Sequence, residues 1–469
     1  AMKNYFKKIV LTIITWQAQI IIKKNNPIII GITGNLGKTS TKDFISNALK
    51  NNLIDRDGNT LVLGSKKSMN SEFGVPLTIL EEESGWGNPL LWIKILIDGF
   101  ARIFEKSHFK YLVLEIGADY PGDIKSLCSY IKPDIAVLTG FASVPVHVEA
   151  FGGDRARLVR EKKYLVDALK PGGTFIYNLD DKDCVKMAEE LKSEVLNGDR
   201  DAKLKSYSIK NPEADAYASN IHFVLTKDDF GIQKLQGINA DLKFDGGENK
   251  KISMNGVIGN AVIYTLLPSL LISEILNIDL DKAISDIENT KRTSGRMRIL
   301  DGFFNTIIID DTYNSSPKAV ENGINTVNNL DIEKKKIFVL GDMLELGEYT
   351  KSEHERIGTL VANHCDILLT CGIRAKLIAE SAIKNGMPGE NVYINSNSIE
   401  TGKELLRILE ELREEDYKKG KTEKEVGGNL VFVKGSQGPR MEKVVKMILA
   451  DHHNSDKDLV RQDKAWKSR

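Results

Sequence analysis

The chain contains little cysteine for its length. Its 469 residues include four cysteines with no metal-ligand spacing between them: Cys128, Cys184, Cys365 and Cys371. Four thiols are too few to cross-link a chain of this size, which excludes a disulfide scaffold and a cysteine-based metal site. We therefore expect reduced cysteines and a cytoplasmic protein.

The chain also lacks a net charge. Its 65 Lys and Arg residues balance 65 Asp and Glu residues. This balance gives no indication of a nucleic-acid partner or of attraction to an acidic membrane, although local patches remain open. A hydrophobic fraction of 41% and a charged fraction of 28% are typical of a globular protein, and the length predicts two or three domains.

A long hydrophobic run is absent as well. The uncharged stretch from Ile9 to Ile22 has fourteen residues and lies between two lysine pairs. A helix rises about 1.5 Å per residue, so this stretch is too short to cross a hydrocarbon layer of about 30 Å. No small-residue cleavage site follows it, which argues against a signal peptide. We predict a helix that docks on the first domain, and an interfacial membrane anchor is the less favoured alternative.

The segment from Ile28 to Thr41 carries the clearest chemical signal, because an apolar strand runs directly into a glycine-rich turn that ends in Gly37-Lys38-Thr39. Such glycines let backbone N–H groups surround phosphate oxygens, the lysine reaches the β- and γ-phosphates, and the threonine hydroxyl can ligate Mg²⁺. A helical pattern follows, whose positive N-terminus would face the anion. The stricter motif has glycine where Ile32 stands, so an ordinary glycine-rich turn is the alternative. The nucleotide-binding candidates are Gly34, Asn35, Gly37, Lys38, Thr39 and Ser40.

Short apolar runs alternate with helical patterns along most of the chain, as at Tyr111-Leu-Val-Leu-Glu115 and Ile135-Ala-Val-Leu-Thr139. This alternation predicts an α/β fold with a mostly parallel sheet covered by helices. Residues 203–256 predict an antiparallel extension of that sheet, and one helix is expected over 260–290. A polar tail is expected to be disordered. The N-terminal helix, the central domain, the second α/β domain and the tail are assigned to 1–26, 27–292, 293–450 and 451–469.

Polar side chains stand where strands of this sheet are expected to end. Glu115 closes one apolar run, and at the carboxyl edge of a parallel sheet it could hold Mg²⁺ or its water shell. His147 follows the next strand, and Lys162 lies fifteen residues further on in a helical stretch. The second domain has Asp310-Asp-Thr-Tyr-Asn-Ser-Ser-Pro317 at a strand end and Lys434-Gly-Ser436 after another. Each signal is weak alone, because a charged strand end or an isolated histidine is commonly structural.

Taken in this order, the segments resemble the Mur ligase family from about residue 27 to about residue 449. The second domain resembles the MurF type, which attaches D-Ala-D-Ala to UDP-MurNAc-tripeptide. Asn70-Ser-Glu-Phe-Gly-Val-Pro in the first domain resembles the family's Asn-Asn-Glu-Ile-Gly-Val-Pro segment. The resemblance implies a P-loop central ATPase domain and a C-terminal Rossmann-like domain that closes over the nucleotide. The second-domain motifs are Gly295-Arg-Met, Asp310-Asp-Thr-Tyr-Asn, Leu340-Gly-Asp-Met-Leu-Glu-Leu-Gly347 with His354, and Val433-Lys-Gly-Ser436.

The resemblance also implies a reaction, in which ATP activates the carboxylate of a UDP-linked peptide as an acyl phosphate and an amine then forms the amide bond. Two Mg²⁺ ions would neutralise the anions that meet there. A lysine with an ordinary pKa of about 10.4 would be a cation among these metals, whereas its carbamate is an anionic oxygen ligand. The implied metal ligands are Thr39, Glu115, His147 and carbamylated Lys162. The implied catalytic residues are Lys38, His147 and Lys162. The implied ATP contacts from the second domain are Arg296, Asp311, Tyr313 and Asn314, and the implied substrate contacts are Asn70, Lys434 and Ser436.

Two departures from the family pattern leave alternatives open. Only about 26 residues precede the first strand, so we expect the acceptor to be bound without the usual N-terminal UDP-sugar domain. The family's Gly-x-His-Asn run and following asparagine are replaced by Ala261, Val262 and Thr265, so adenine contacts are not predicted. The sequence does not separate murein from pseudomurein synthesis or an added amino acid from a dipeptide. A folylpolyglutamate-type ligase and a non-catalytic nucleotide-binding scaffold of wall assembly are further alternatives.

Overall fold

Two sheets organise the chain in a computed structural model that describes residues 2–65, 69–85, 87–106, 108–144, 148–245, 247 and 249–462. The helices are α1 (Met2–Asn25), α2 (Lys38–Lys50), α3 (Gly74–Ile79), α4 (Pro89–Phe104), α5 (Asp123–Leu127), α6 (Arg155–Asp167), α7 (Lys182–Leu196), α8 (Asn260–Ile275), α9 (Leu280–Glu288), α10 (Pro317–Asn328), α11 (Thr350–Val361), α12 (Lys376–Lys384), α13 (Ser398–Lys418), α14 (Glu442–Ile448) and α15 (Ser455–Asp458). The strands are β1 (Ile28–Thr33), β2 (Val62–Gly64), β3 (Tyr111–Glu115), β4 (Ile135–Leu138), β5 (Gly173–Asn178), β6 (Ala202–Ser208), β7 (Ala216–Lys227), β8 (Gln233–Phe244), β9 (Lys250–Asn255), β10 (Arg298–Asp301), β11 (Ile307–Asp311), β12 (Lys336–Gly341), β13 (Ile367–Cys371), β14 (Val392–Asn395) and β15 (Leu430–Lys434).

The first sheet, in the order β2-β3-β1-β4-β5-β6-β7-β8-β9, carries the predicted parallel core. β1 lies between β3 and β4 and runs parallel to both. Its residues and those of β4 are almost all buried, because helices cover both faces of the sheet. The carboxyl ends of β1, β3 and β4 therefore meet at one edge, and the loops that follow them face the same space.

The far side of this sheet is antiparallel, as the sequence predicts, but the change of direction comes later than residue 203. β6 still runs parallel to both β5 and β7, and the antiparallel pairs are β7 with β8 and β8 with β9. β7 and β8 each span 12 residues. The extension therefore continues the first sheet and does not form a separate layer.

The single helix expected over 260–290 is wrong, because the structure has two helices there, α8 and α9. Asn277 adopts a left-handed backbone conformation with φ 56°, which ends the first helix. The side chain of Asp279 then accepts a hydrogen bond from Lys282 N at 3.0 Å and caps the second. Two local polar residues thus divide an otherwise apolar helical pattern.

The N-terminal helix α1 packs on the first sheet's helical layer, as the sequence predicts, and its 24 residues exceed the uncharged stretch. One of its faces is buried in the core of that unit through Val10, Ile14, Ala18 and Ile21. Within the described residues, no helix combines the length and hydrophobicity needed to cross a membrane.

The second sheet, in the order β10-β11-β15-β12-β13-β14, repeats the parallel arrangement with one antiparallel edge strand, β10. β15 lies between β11 and β12 and is parallel to both, and all five of its residues are buried. Asp311 and Lys434 stand at the carboxyl ends of β11 and β15, opposite each other in register. This edge of the second sheet lies across from the polar edge of the first.

Residues 451–462 pack against the second unit, although their polar composition predicts disorder. Leu459 and Val460 are buried, and Arg298 forms an ion pair of 2.7 Å with Asp458. Arg461 donates hydrogen bonds to Tyr313 O at 2.9 Å and to Glu442 Oε2 at 2.9 Å. Two apolar residues and a buried guanidinium therefore order a segment whose average composition is hydrophilic.

Candidate active site

A cleft of about 1470 Å³, open to solvent, lies between the polar edges of the two sheets. It is lined from the first unit by the loop between β1 and α2, by the end of β3 and by α6. From the second unit it is lined by the segment that precedes β10 and by the segments that follow β11, β12 and β15. The structure brings twelve of the predicted site residues to its wall: Gly34, Asn35, Gly37, Lys38, Thr39, Asn70, Glu115, Lys162, Arg296, Tyr313, Asn314 and Ser436.

The glycine-rich loop has the backbone that a phosphate cradle requires. Gly34 and Gly37 have φ values of 139° and 77°, which L side chains rarely adopt. A Cβ at Gly34 would collide with Thr139 Oγ1, and one at Gly37 would lie 2.7 Å from Thr265 Cγ2 on α8. No side chain among the described residues caps the N-terminus of α2, so its first N–H groups, including that of Ser40, are available to bind an anion.

Lys38 lies at this helix N-terminus, where side chains of both charge signs act on it. Burial lowers the pKa of Lys38, the carboxylate of Glu115 opposes that shift, and the guanidinium of Arg296 adds to it. Since Lys38 and Arg296 face each other from opposite walls of the cleft, an anion between them would relieve their repulsion.

Glu115, the last residue of β3, is held by an amide from a different loop. Asn70 Nδ2 donates to Glu115 Oε1 at 2.8 Å, and Asn70 O accepts from Gly117 N at 2.8 Å. The carboxylate is 2% exposed. Asn70, predicted to contact substrate, thus also positions Glu115, a predicted metal ligand, through this hydrogen bond.

Lys162 on α6 is 3% exposed, and burial, reinforced by the charge of Lys38, lowers its pKa to about 7. The neighbouring Glu161 does not neutralise it directly, because that carboxylate accepts from Gly122 N at 2.9 Å and Ile124 N at 2.8 Å and so caps α5. A substantial fraction of the Lys162 amine is therefore uncharged near neutral pH, which makes it nucleophilic.

The second unit contributes an arginine and a tyrosine to the opposite wall. The Arg296 guanidinium stacks over the Tyr313 ring with 4.1 Å between its Cζ and the ring centroid. Arg296 Nε is buried and has no hydrogen-bond partner among the described residues, so the guanidinium has donor capacity left for a ligand.

Asp311 and Lys434 lie beneath this wall and pair with each other. Lys434 Nζ is 2.6 Å from Asp311 Oδ2 and donates to Asn314 O at 2.9 Å. Burial lowers the pKa of Lys434, while the Asp311 carboxylate favours its charged form. The geometry thus makes this pair a support for the loop of Tyr313 and Asn314, and the expected contacts of Asp311 with ATP and of Lys434 with substrate remain predictions.

Ser436 and His354 organise the loop after β12. Ser436 Oγ accepts from Leu344 N at 2.9 Å. His354 Nε2 accepts from Met343 N at 3.1 Å, and its Nδ1 lies 2.6 Å from Thr350 O, to which it donates. This pattern requires a neutral imidazole, and burial lowers the pKa of His354 accordingly.

Some site groups lie beyond the sequence interpretation. His147 falls outside the described residues. Asp119, Leu344 and Glu345 line the cleft but were not singled out. Their signal was positional, since Asp119 follows Glu115 by four residues and the other two belong to the Leu340–Gly347 motif. Among the described residues, no group of three His, Cys, Asp or Glu side chains is arranged to hold a metal ion.

Comparison with known proteins matches both units. Residues 32–251 match the Mur ligase middle domain, and residues 295–418 match the Mur ligase glutamate ligase domain. The chain is 28% identical over 436 residues to UDP-N-acetylmuramoyl-tripeptide--D-alanyl-D-alanine ligase of Buchnera aphidicola, covering 92% of this chain and 78% of that one.

The fold is shared with solved structures of similar proteins. MurF from Acinetobacter baumannii superposes with a TM-score of 0.69 at 19% identity, over 93% of this chain and 79% of that one. MurF ligase from Thermotoga maritima in complex with ADP superposes with a TM-score of 0.66 at 22% identity, over 96% and 84%. Two family domains in the expected order, on either side of a cleft built from the predicted motifs, identify the chain as a member of the Mur ligase family.

Proposed function

We propose that this protein is an ATP-dependent ligase that joins D-Ala-D-Ala to the peptide of UDP-MurNAc-tripeptide. One observation carries the proposal: a single cleft brings the glycine-rich loop, Glu115 and Lys162 of the first unit opposite Arg296 and Ser436 of the second. The substrates are those in the name of the Buchnera relative. Use of ATP and a UDP-linked precursor implies a cytoplasmic reaction.

The residues of the glycine-rich loop fit the phosphates of a nucleoside triphosphate. The conformations of Gly34 and Gly37 leave no room for a Cβ, the α2 N-terminus offers N–H donors, and Lys38 supplies a cation. Arg296 has an unused donor on the facing wall. Phosphate oxygens would satisfy these groups together, with Asn35, Ser40, Tyr313 and Asn314 as further contacts.

The donor set near Lys38 also fits Mg²⁺ once phosphate oxygens are present. Thr39 and Glu115 would supply a hydroxyl and a carboxylate oxygen, and we retain His147 as a further ligand. Bound magnesium supplies charge neutralisation between phosphate and carboxylate anions. Because no complete ligand group exists among the described side chains, the phosphate oxygens and a modified Lys162 would complete the site.

Lys162 would carry a carbamate. Its amine attacks carbon dioxide, forms an N–C bond and loses one proton to solvent, which yields an anionic carbamate. The pKa of about 7 provides uncharged amine for this step. We expect activity to fall in bicarbonate-depleted buffer and to recover when bicarbonate is returned, with the Lys162→Ala variant insensitive to both. Equal activity of the wild-type protein with and without bicarbonate would contradict the carbamate.

The reaction has two balanced steps. An acceptor carboxylate oxygen forms a bond to the γ-phosphorus of ATP while the bond to ADP breaks, giving an acyl phosphate. The amine nitrogen of D-Ala-D-Ala then bonds to the acyl carbon, phosphate leaves and the amine loses a proton. Lys38 and Arg296 stabilise the charge that develops on the transferred phosphoryl group. Ser436 is our candidate for the incoming amine substrate, and Asn70 for the acceptor side.

The test is release of phosphate from Mg-ATP with UDP-linked peptide acceptors and candidate amines, with product masses measured. We expect release and a mass gain only when D-Ala-D-Ala is present. A gain with a single L-amino acid would instead favour a pseudomurein-type ligase, and a gain of glutamate on a folate would favour the folylpolyglutamate type. Binding of ATP without turnover across all pairs would favour the scaffold alternative.

A further inference from the structure

Helices α1 and α4 lie side by side on the first unit and run in the same direction. Gln17 Nε2 donates to Leu96 O at 2.8 Å, and two helical turns later Lys24 Nζ donates to Ile103 O at 2.8 Å. A Cβ at Gly99 would lie 2.5 Å from Gln17 Oε1, so glycine permits the close approach of the two helices. The pair is therefore a fixed platform and not two independent segments.

Each helix leaves a row of apolar side chains outside the core. On α1 the row follows spacings of three and four residues and includes Trp16, which is 48% exposed. On α4 the same spacings recur, with Ile97 63% exposed and Phe104 74% exposed. We call these ten side chains the platform face: Phe6, Ile9, Ile13, Trp16, Ile20, Leu90, Ile93, Ile97, Phe100 and Phe104.

The two rows form one surface because each flanks the line of contact between the helices. On α1 the row lies next to Gln17, on the side turned toward α4. On α4 the row lies next to Leu96, on the side turned toward α1, while Trp92, Ile95 and Gly99 face the core. A continuous apolar face of this kind is uncommon on a protein with no partner.

Charge distinguishes between the possible partners of this face. α1 carries five lysines and no acidic residue, and α4 adds Lys94 and Arg102 against Asp98. Lys8 and Lys23 are exposed near opposite ends of α1. A second copy would bring a second basic rim against the first, whereas a negatively charged lipid surface complements both the apolar face and its lysines.

We propose that the platform face binds the surface of a bilayer that contains anionic lipids. The face lies in the interfacial region, where the apolar side chains enter about 5–10 Å and lysines contact headgroups. Trp16 and the phenylalanines suit this depth, since aromatic rings favour the membrane–water interface. The proposal concerns attachment and is independent of the proposed ligase reaction, because the platform face lies outside the cleft.

The test is flotation of the full chain with vesicles of phosphatidylcholine alone or with phosphatidylglycerol. We expect binding to the mixed vesicles and a blue shift of tryptophan emission that Trp16→Phe removes. The double variant Leu90→Asn with Ile97→Asn should bind at least roughly tenfold more weakly, since two apolar side chains are no longer removed from water on binding. Lys8→Glu with Lys23→Glu should weaken binding to the mixed vesicles only.

The matched control is Leu196→Asn with Ile373→Asn, which replaces residues of the same types that are at least as exposed elsewhere and should leave binding unchanged. The proposal would be overturned if the chain bound neither kind of vesicle. So would a stable dimer in light scattering that Leu90→Asn with Ile97→Asn disperses, because the face would then belong to a second copy. ATP turnover of each variant in the absence of vesicles reports whether the cleft is intact.

Discussion

The two walls of the cleft treat buried charge differently. On the first unit, burial lowers the pKa of both Lys38 and Lys162, and the charge of Lys38 lowers the pKa of Lys162 further. On the second unit, Lys434 has a carboxylate at 2.6 Å, and His354 is neutral with both ring nitrogens hydrogen-bonded. Among the described residues, Lys38 and Lys162 thus have no ion-pair partner, whereas Lys434 and His354 are already paired within the protein.

Lys38 and Lys162 are therefore candidates to bind a ligand, whereas Lys434 and His354 support the surrounding structure. A cation near other cations gains free energy when phosphate binds, while an internally paired cation would have to give up its partner first. We therefore expect substitutions on the first wall to affect turnover and substitutions beneath the second wall to affect stability.

Removal of Lys434 should give the largest effect. Lys434→Met leaves Asp311 buried without its partner and should lower the free energy of unfolding by about 3–5 kcal/mol. Urea denaturation followed by circular dichroism measures this loss. The double variant Asp311→Asn with Lys434→Met should recover part of it, and a single variant as stable as the wild type would abolish the contrast between the walls.

Removal of Lys38 should do the reverse. Lys38→Met should lower ATP turnover by about 100-fold or more, because a phosphate-stabilising cation is lost. Its free energy of unfolding should stay within about 1 kcal/mol of wild type, since Lys38 forms no ion pair with any described residue. Phosphate release and urea denaturation give the two values, and Lys50→Ala at the other end of α2 is the control.

Two glycines with positive φ allow the cost of backbone strain to be distinguished from a steric collision in the phosphate loop. Gly34→Ala should weaken ATP binding about tenfold or more, because its Cβ would meet Thr139 Oγ1 in the phosphate loop. Gly198 also has a positive φ of 80°, but a Cβ there would have no neighbour within 4 Å. Gly198→Ala should therefore cost only about 1 kcal/mol of stability. Calorimetric titration with Mg-ATP compares them, and equal affinities would argue against the phosphate cradle.

The smallest effect concerns His354 and pH. Its pKa is lower in the folded chain than the ordinary 6.5, so below that pH the unfolded chain binds more protons. The stability that depends on neutral His354 is present above pH 6.5 and is lost as the pH falls through the folded pKa. His354→Gln should therefore flatten the decline in urea midpoint between about pH 6.5 and 5. A decline as steep as in the wild type would assign it to other groups.

The sequence predicted the elements of the site better than their connections. The phosphate loop was readable because strand, glycines, lysine and helix are consecutive residues. The bond between Asn70 and Glu115 joins residues 45 apart, and the bond between Lys434 and Asp311 joins residues 123 apart. No local pattern reports such partners. Asn70 and Lys434, both predicted to contact substrate, therefore contact a predicted metal ligand and a predicted ATP contact, respectively.

The same limit explains the helices and the tail. Two polar residues, Asn277 and Asp279, were enough to divide a helix whose apolar pattern continued beyond them. Residues 451–462 of the polar tail are ordered because Arg461 donates hydrogen bonds to the backbone carbonyls of Thr312 and Tyr313, about 150 residues earlier in the chain. Composition averages over residues and cannot register one well-placed guanidinium.

The α/β class, the order of the two family domains and the phosphate loop can be read from the sequence, because strand alternation, motif spacing and glycine conformation are local properties. Three features became evident only in the folded chain: Asp311 and Lys434 neutralise each other, burial lowers the pKa of Lys162 to about 7, and α1 and α4 share an apolar face. Ion pairing, desolvation and surface continuity depend on which distant segments meet, and that is set by packing.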